Sequence, residues 1–118
     1  MTTRALNESN YVILDGSGNG TVQLRPDGSR EIWQPTLASV KVNTNVAEAS
    51  CKIYIGHKVS DDNFVDQTLS GSSGDSTGKV SGRTISRTSD PAIFAVWAGG
   101  DPGSQATLIV TGSKEIPL

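Results

Sequence analysis

Residues 93–112 read IFAVWAGGDPGSQATLIVTG, and they decide the fold class because two alternating apolar runs flank a turn rich in glycine and proline. In the first run both strand faces are apolar, with Ile93, Ala95 and Trp97 opposite Phe94 and Val96. In the second run one face is apolar, at Ala106, Leu108 and Val110. The turn offers the positive and fixed φ values that a chain reversal needs. The stretch therefore predicts a central strand and a half-buried strand joined as a β-hairpin.

Further alternating runs lie at residues 38–43 and 51–56, and short runs at 11–14 and 22–24 read as a first hairpin. Residues 57–82 are rich in Ser and Gly and predict mostly surface loop, with one short strand near 79–80. Another short strand is expected at 84–87, and polar turns are expected at 25–28 and 43–48. We expect about seven to nine short strands, the pattern of a sandwich or small barrel. The sequence predicts one all-β domain over residues 11–118, an antiparallel β-sandwich of jelly-roll or immunoglobulin-like type. Residues 1–10 show no core pattern and are interpreted as a short N-terminal arm.

Length and charge exclude several classes of protein. The chain has 118 residues, the size of one domain, and a formal net charge of -2. That balance gives no electrostatic footprint for nucleic acid or for an anionic membrane, so we expect neither as a partner. The N-terminus lacks the pattern of a secretory signal. Cys51 is the single cysteine and shares an apolar face with Ile53 and Ile55, which predicts a buried, unreactive thiol.

Few residues offer catalytic or metal-binding chemistry. His57 is the single histidine and follows a strand end, where an exposed turn residue is expected. Asp61 and Asp62 are adjacent in a loop, a position typical of solvation or capping rather than acid-base work. The string from Asp15 to Gly20 resembles the first half of a calcium-binding loop, but Pro26 stands where a bidentate Glu is needed. We therefore expect no enzymatic activity, no cofactor and no metal.

Aromatic side chains are the remaining candidates for contacts with a ligand or partner. Trp97 is predicted to pack in the core because its strand is apolar on both faces. Trp33 lies beside Glu31 and Gln34, which favours an edge strand with the indole accessible. Phe64 lies in a predicted loop between Asp62 and Asp66, where it is the best candidate for an exposed anchor, although pinning the loop down explains it equally well. The predicted interface or ligand contacts are Trp33, Phe64, Asp62 and Asp66.

Three segments in combination carry a resemblance: EIWQPTLASVKVNTN at 31–45, CKIYIG at 51–56 with DNFVDQTLSGSSGDST at 62–77, and residues 93–112. Together they resemble small proteins encoded among the structural genes of tailed bacteriophages that infect actinobacteria, over most of the chain from about Gly18. The resemblance implies a virion protein that is made in the host cytoplasm and is not an enzyme. It supplies no residue-level site.

Within a virion two roles remain open. The first is a capsid decoration protein that stabilises the shell and binds the major capsid protein or other virion proteins, as a homo-oligomer for which a trimer is one option. The second is a tail-tip or fibre module that presents a loop face to host glycan or to other tail proteins. The small single domain without a repeat or coiled coil favours decoration. A free-standing carbohydrate-binding β-sandwich is the alternative outside the virion.

Overall fold

The computed structural model describes residues 2–26, 30–42, 49–70, 75–78, 80, 82–86 and 90–116. Their regular structure is all-β except for one 3₁₀ turn, Asp61–Asn63. The strands are β1 (Thr2–Ile13), β2 (Gly20–Leu24), β3 (Ile32–Val42), β4 (Ala49–Gly56), β5 (Phe64–Ser70), β6 (Asp75–Gly78), β7 (Ile85–Ser86), β8 (Ala92–Ala98) and β9 (Gln105–Ile116). The all-β class predicted from the alternation is confirmed.

The strands form two antiparallel sheets. Sheet A has the order β1-β9-β3-β6, with the short β7 also paired to β3, and sheet B has the order β2-β8-β4-β5. The ladders are nested, because β1 pairs β9, β2 pairs β8, β3 pairs β6 and β4 pairs β5. The paired strands thus form one long antiparallel ribbon wound around a core, which is the jelly-roll arrangement rather than the immunoglobulin one.

The strands of residues 93–112 do not form the predicted hairpin. β8 lies in sheet B between β2 and β4, whereas β9 lies in sheet A between β1 and β3. The predicted first hairpin is wrong in the same way, because β1 and β2 belong to different sheets. Alternation shows which face of a strand is buried. It does not show whether the next strand lies beside that strand or across the core from it.

Two turns that cross between the sheets interlock at one end of the sandwich. Leu14 donates its backbone N–H to the carbonyl of Ser104 at 2.9 Å, and Gly100 donates to the carbonyl of Gly18 at 3.0 Å. Gly18 has φ +75°, and a Cβ there would overlap the backbone carbonyl of Gly100. This position therefore requires glycine for both its conformation and its space.

The inward faces of both sheets form one apolar core. The predicted inner residues of β3, β4 and β9 all belong to it: Ala38, Val40, Val42, Cys51, Ile53, Ile55, Ala106, Leu108 and Val110. Trp97 is fully buried, which confirms its predicted core role. Its indole Nε1 has no hydrogen-bond partner among the described residues.

The segment 1–10, predicted as an arm, is from Thr2 onward the first part of β1. It pairs in register with β9, and Leu6 faces Gly112 and is only 2% exposed within the core. The sequence conceals this strand because Arg4 and Glu8, which flank Leu6 on the same face, are charged. Burial of one large side chain and a continuous ladder make the segment an edge strand of sheet A, not an arm.

Residues 57–82, predicted mostly as loop, contain the strands β5 and β6. Both lie at sheet edges, where polar side chains are tolerated and the apolar alternation is weak. The short strand expected near residues 84–87 is present as β7. The strand expected at 79–80 and the turns expected at 25–28 and 43–48 lie wholly or partly outside the described residues.

Candidate functional site

Trp33, predicted as an accessible contact residue, is buried. Its side chain is 2% exposed and packs in the main core from sheet A. Its indole Nε1 donates a hydrogen bond to Glu31 Oε1 at 2.7 Å. The acidic neighbour that favoured an edge position in the sequence is thus the partner that allows the indole to be buried. Trp33 cannot stack on a ligand in this structure, and the prediction is corrected.

The three other predicted contact residues lie at the β5 edge of sheet B. Phe64 begins β5 and is 44% exposed, so its ring is available to solvent. Asp62 is exposed in the 3₁₀ turn. Asp66 is half-buried, lies opposite Ile53 and accepts the backbone N–H of Gln67 at 2.9 Å. These residues are neighbours in the chain, but only Phe64 lines the pocket that lies beside them.

This pocket, the sheet-B pocket, is lined by Lys52, Tyr54, Asp61, Phe64 and Gln67. Its volume is about 290 Å³. Lys52 lies opposite Gln67 in the β4–β5 ladder, and Tyr54 lies opposite Phe64. Four of the five side chains therefore come from one face of two paired strands, and the preceding 3₁₀ turn contributes the fifth.

The aromatic part of the sheet-B pocket is held by packing. The rings of Tyr54 and Phe64 meet edge to face, with centroids 5.8 Å apart and an interplanar angle of 74°. Tyr54 also packs with Ala92 and Phe94 in a second, smaller apolar cluster, separate from the main core. Edge-to-face packing is a favoured aromatic geometry. The contact with Tyr54 thus fixes the ring of Phe64 while leaving that ring exposed to solvent.

The loop that forms one wall of the pocket, residues 57–63, is held by hydrogen bonds between its own residues. The side-chain amide of Asn63 donates to the carbonyl of Lys58 at 2.8 Å, and the backbone N–H of Asn63 donates to the carbonyl of Ser60 at 3.0 Å. A Cβ at Gly56 would collide with the Asn63 side chain, and Gly56 has φ +156°. These contacts hold Asp61, which lies between Ser60 and Asn63, beside the aromatic pair.

A second exposed feature lies on the outward side of sheet A. Tyr11, Ile13 and Leu37 are 57%, 52% and 41% exposed. Ile109, on β9 between the other two strands, is half-buried and has the same outward orientation. These four residues define the sheet-A face. Three neighbouring strands thus present large apolar side chains to solvent on one sheet surface.

The nucleophile that the sequence offered is inaccessible. Cys51 is buried in the main core, as predicted, and burial raises the pKa of its thiol to about 12. The thiolate, which is the reactive form, is therefore disfavoured at neutral pH. Cys51 contributes apolar volume at the inner face of sheet B.

In the turn that resembles half of a calcium-binding loop, the carboxylate accepts hydrogen bonds from the backbone of the turn itself. Asp15 Oδ1 accepts the backbone N–H groups of Ser17 at 2.8 Å and Asn19 at 3.0 Å. These hydrogen bonds, from Asn19 first and then from Ser17, lower the pKa of Asp15. The carboxylate closes the turn. Across the described residues, His, Cys, Asp and Glu side chains form no cluster suited to a metal ion.

Sequence reasoning missed most of the sheet-B pocket. Tyr54 occupies the second face of a strand whose first face was assigned to the core, and Lys52 shares that second face. The available signal was Tyr54 itself, a large aromatic residue on a face otherwise marked by lysine. Gln67 gave no signal, because β5 was interpreted as loop.

No protein-family model and no curated protein sequence matches the chain. In the part of the chain that the structure describes, no helix is long and apolar enough to cross a membrane. A function is therefore assigned from the sheet-A face, the sheet-B pocket and the sequence resemblance.

Proposed function

We propose that this protein is a non-enzymatic structural component of a bacteriophage virion, a decoration protein that binds the outer surface of the capsid shell. The observation that carries the proposal is the sheet-A face, where Tyr11, Ile13 and Leu37 are all more than 40% exposed on one sheet. In the ladders Ile109 lies between the levels of Leu37 and Tyr11, so these side chains form a diagonal row across the sheet. Exposed apolar patches mark interaction surfaces in soluble proteins. The sequence resemblance to phage structural proteins supports another virion protein as the partner that binds this face.

The size of the molecule suits such an interface. Its extents are 46 × 26 × 20 Å, so a broad side exceeds the about 800 Å² per partner that a standard interface buries. The flanking outward residues Thr107 and Thr111 are half-buried and uncharged, and the exposed Lys41, opposite Thr107, adds one charge beside the apolar side chains. Aromatic residues such as Tyr11 are enriched in interface cores.

The fold is compatible with this role but does not select it. Jelly rolls form viral capsid domains, lectins and other unrelated proteins, so topology alone decides nothing. The tail-tip or fibre module and the free-standing carbohydrate-binding module are the competing functions. The sheet-B pocket, with Phe64 exposed at its wall, is the observation that favours sugar binding.

Quantitative mass spectrometry of purified particles tests the proposal. For a decoration protein we expect a copy number comparable with that of the major capsid protein, or a simple fraction of it. A handful of copies per particle would instead indicate a tail component. Absence of the chain from particles would overturn the virion proposal and leave the free-standing sugar-binding module.

A further inference from the structure

We propose that the sheet-B pocket is a binding site for one pyranose residue of a neutral glycan. This inference goes beyond the shell role and does not depend on it, because the pocket and the sheet-A face lie on different sheets. A protein that uses the sheet-A face for docking still presents the pocket outward. The two sites can therefore be tested separately.

The apolar wall of the pocket suits the C–H face of a sugar ring. Phe64 is 44% exposed, and its ring is fixed by the edge contact with Tyr54. Tyr54 is only 8% exposed, so it supports Phe64 instead of offering a second free ring. Binding sites for small molecules typically combine such an apolar surface with a few placed polar groups.

The polar wall supplies both kinds of hydrogen-bonding group. Lys52 offers an ammonium donor, Asp61 a carboxylate acceptor, and the amide of Gln67 offers both. A hydroxyl group is itself donor and acceptor, so a polyhydroxylated ring can use all three. The pocket lining carries one positive and one negative side chain, which disfavours a strongly charged ligand, because a ligand of either sign meets a like charge. The set therefore favours a neutral sugar over a phosphate or a metal ion.

The size and rigidity of the pocket are also appropriate. A volume of about 290 Å³ is just below the range for sites that hold drug-sized molecules, about 300–1,000 Å³, and so suits a single small ring. The hydrogen bonds of Asn63 to Lys58 and Ser60 hold the loop that carries Asp61. Preorganisation of this kind reduces the entropy lost when a ligand binds.

The test is an NMR titration of the ¹⁵N-labelled full chain with neutral hexose and N-acetylhexosamine oligosaccharides. Tryptophan fluorescence is unsuitable, because Trp33 and Trp97 are both buried. We expect amide shifts that saturate and are confined to β4, β5 and the 57–63 loop. Absence of saturable shifts with every sugar at millimolar concentration would overturn the proposal.

Three variants make the titration specific. Phe64→Ala removes the exposed ring, and Asp61→Asn removes the acceptor charge but keeps the shape; each should weaken sugar binding by about tenfold or more. Leu37→Ser lies on the sheet-A face and is the matched exposed control, so its affinity should be unchanged. The ¹⁵N spectrum of each variant verifies that it is folded. Wild-type affinity in folded Phe64→Ala would also overturn the proposal.

Failure of this inference is distinguishable from failure of the shell role. Phe64→Ala should enter particles at the wild-type copy number, because the sheet-B pocket is not the proposed docking surface. Loss of sugar binding with normal incorporation supports both proposals. Incorporation that fails in Phe64→Ala while sugar binding is retained would contradict both assignments.

Discussion

The outward faces of both sheets carry large apolar residues, but the exposure of these residues differs between the two sheets. On sheet A, Tyr11 and Ile13 are more than half exposed, whereas on sheet B Tyr54 and Phe94 are each only 8% exposed. The 3₁₀ turn contacts β4, and Tyr54, Phe94 and Ala92 pack together as a second core. A sheet face in this fold is thus either an open surface or a covered cluster with a pocket at its margin.

The largest expected effect comes from removing the edge strand that supports the open face. Deletion of residues 1–10 removes most of β1 and the buried Leu6. Loss of a buried Leu side chain alone costs about 2–5 kcal/mol, and the ladder with β9 is lost as well. We expect the free energy of unfolding, measured by urea denaturation, to fall by more than about 3 kcal/mol or the domain not to fold. A truncated chain with the wild-type midpoint would show that the segment is an arm after all.

The next largest effect compares the loss of stability when an aromatic ring is removed from the outward face of sheet B or of sheet A. Phe94→Ala removes a ring that is 8% exposed in the second cluster, and we expect it to destabilise the protein by about 2–4 kcal/mol. Tyr11→Ala removes a ring that is 57% exposed, and we expect a change within about 0.5 kcal/mol. Urea denaturation of both variants gives the comparison. Equal destabilisation would mean that the covered and open faces do not differ as described.

A smaller effect concerns the turns that join the two sheets, and three glycines form a matched series. Gly16 has open space where a Cβ would lie and no positive φ, Gly103 has φ +84° in open space, and Gly18 has φ +75° against the Gly100 carbonyl. Substitution by Ala should cost within about 0.5 kcal/mol at Gly16. At Gly103 we expect about 1–2 kcal/mol from the left-handed conformation.

At Gly18 the backbone overlap adds to the conformational cost, so Gly18→Ala should be the most destabilising of the three. Thermal unfolding of the three variants under one buffer condition ranks them. The same melting temperature for Gly18→Ala and Gly103→Ala would mean that the two turns do not interlock.

The smallest effect at neutral pH comes from the inner side of sheet B. Burial raises the pKa of Cys51 from 9.0 to about 12, so the folded state keeps a proton that the unfolded state releases above pH 9. The stabilisation is complete below pH 9 and declines as the pH rises toward 12, at up to about 1.4 kcal/mol per pH unit. The difference in stability between the wild type and Cys51→Ala, followed from pH 8 to pH 11, isolates this contribution.

A pH-independent difference would contradict the buried thiol. The same burial predicts that a disulfide reagent modifies Cys51 at pH 8 only as fast as the protein opens. Unfolding the chain with urea should therefore make the reagent modify Cys51 rapidly.

The sequence was sufficient to assign strand faces but not strand neighbours. The buried positions of β3, β4 and β9 followed from local alternation, because each residue's orientation depends on its own strand. The partner of β8 depends on the packing of the whole ribbon, so the turn at 99–103 could not reveal that β9 lies in the other sheet. Trp33 was misplaced because its acidic neighbour was taken as a sign of exposure, whereas Glu31 accepts its indole N–H.

For the candidate sites too, local sequence indicated single residues but not which strands pair. The exposed position of Phe64 agrees with one of the two roles that its polar surroundings in the sequence left open. Its pairing with Tyr54 depends on the β4–β5 register, which includes a shift between Ile53 and Tyr54 that no local pattern indicates. The sheet-A face depends on the pairing of β1 with β9, whereas the sequence interpretation placed residues 11–14 in a hairpin with residues 22–24.

Re-addition of purified protein to phage particles that lack it tests most directly whether the sheet-A face docks on the shell. The double variant Tyr11→Ser, Ile13→Ser is compared with the wild type and with the pocket variant Phe64→Ala, each at equal concentration, by bound copies per particle. We predict that the wild type and Phe64→Ala saturate the shell equally and that the double variant binds at least about tenfold more weakly. Wild-type binding by a folded double variant would contradict the assignment of the sheet-A face as the docking surface.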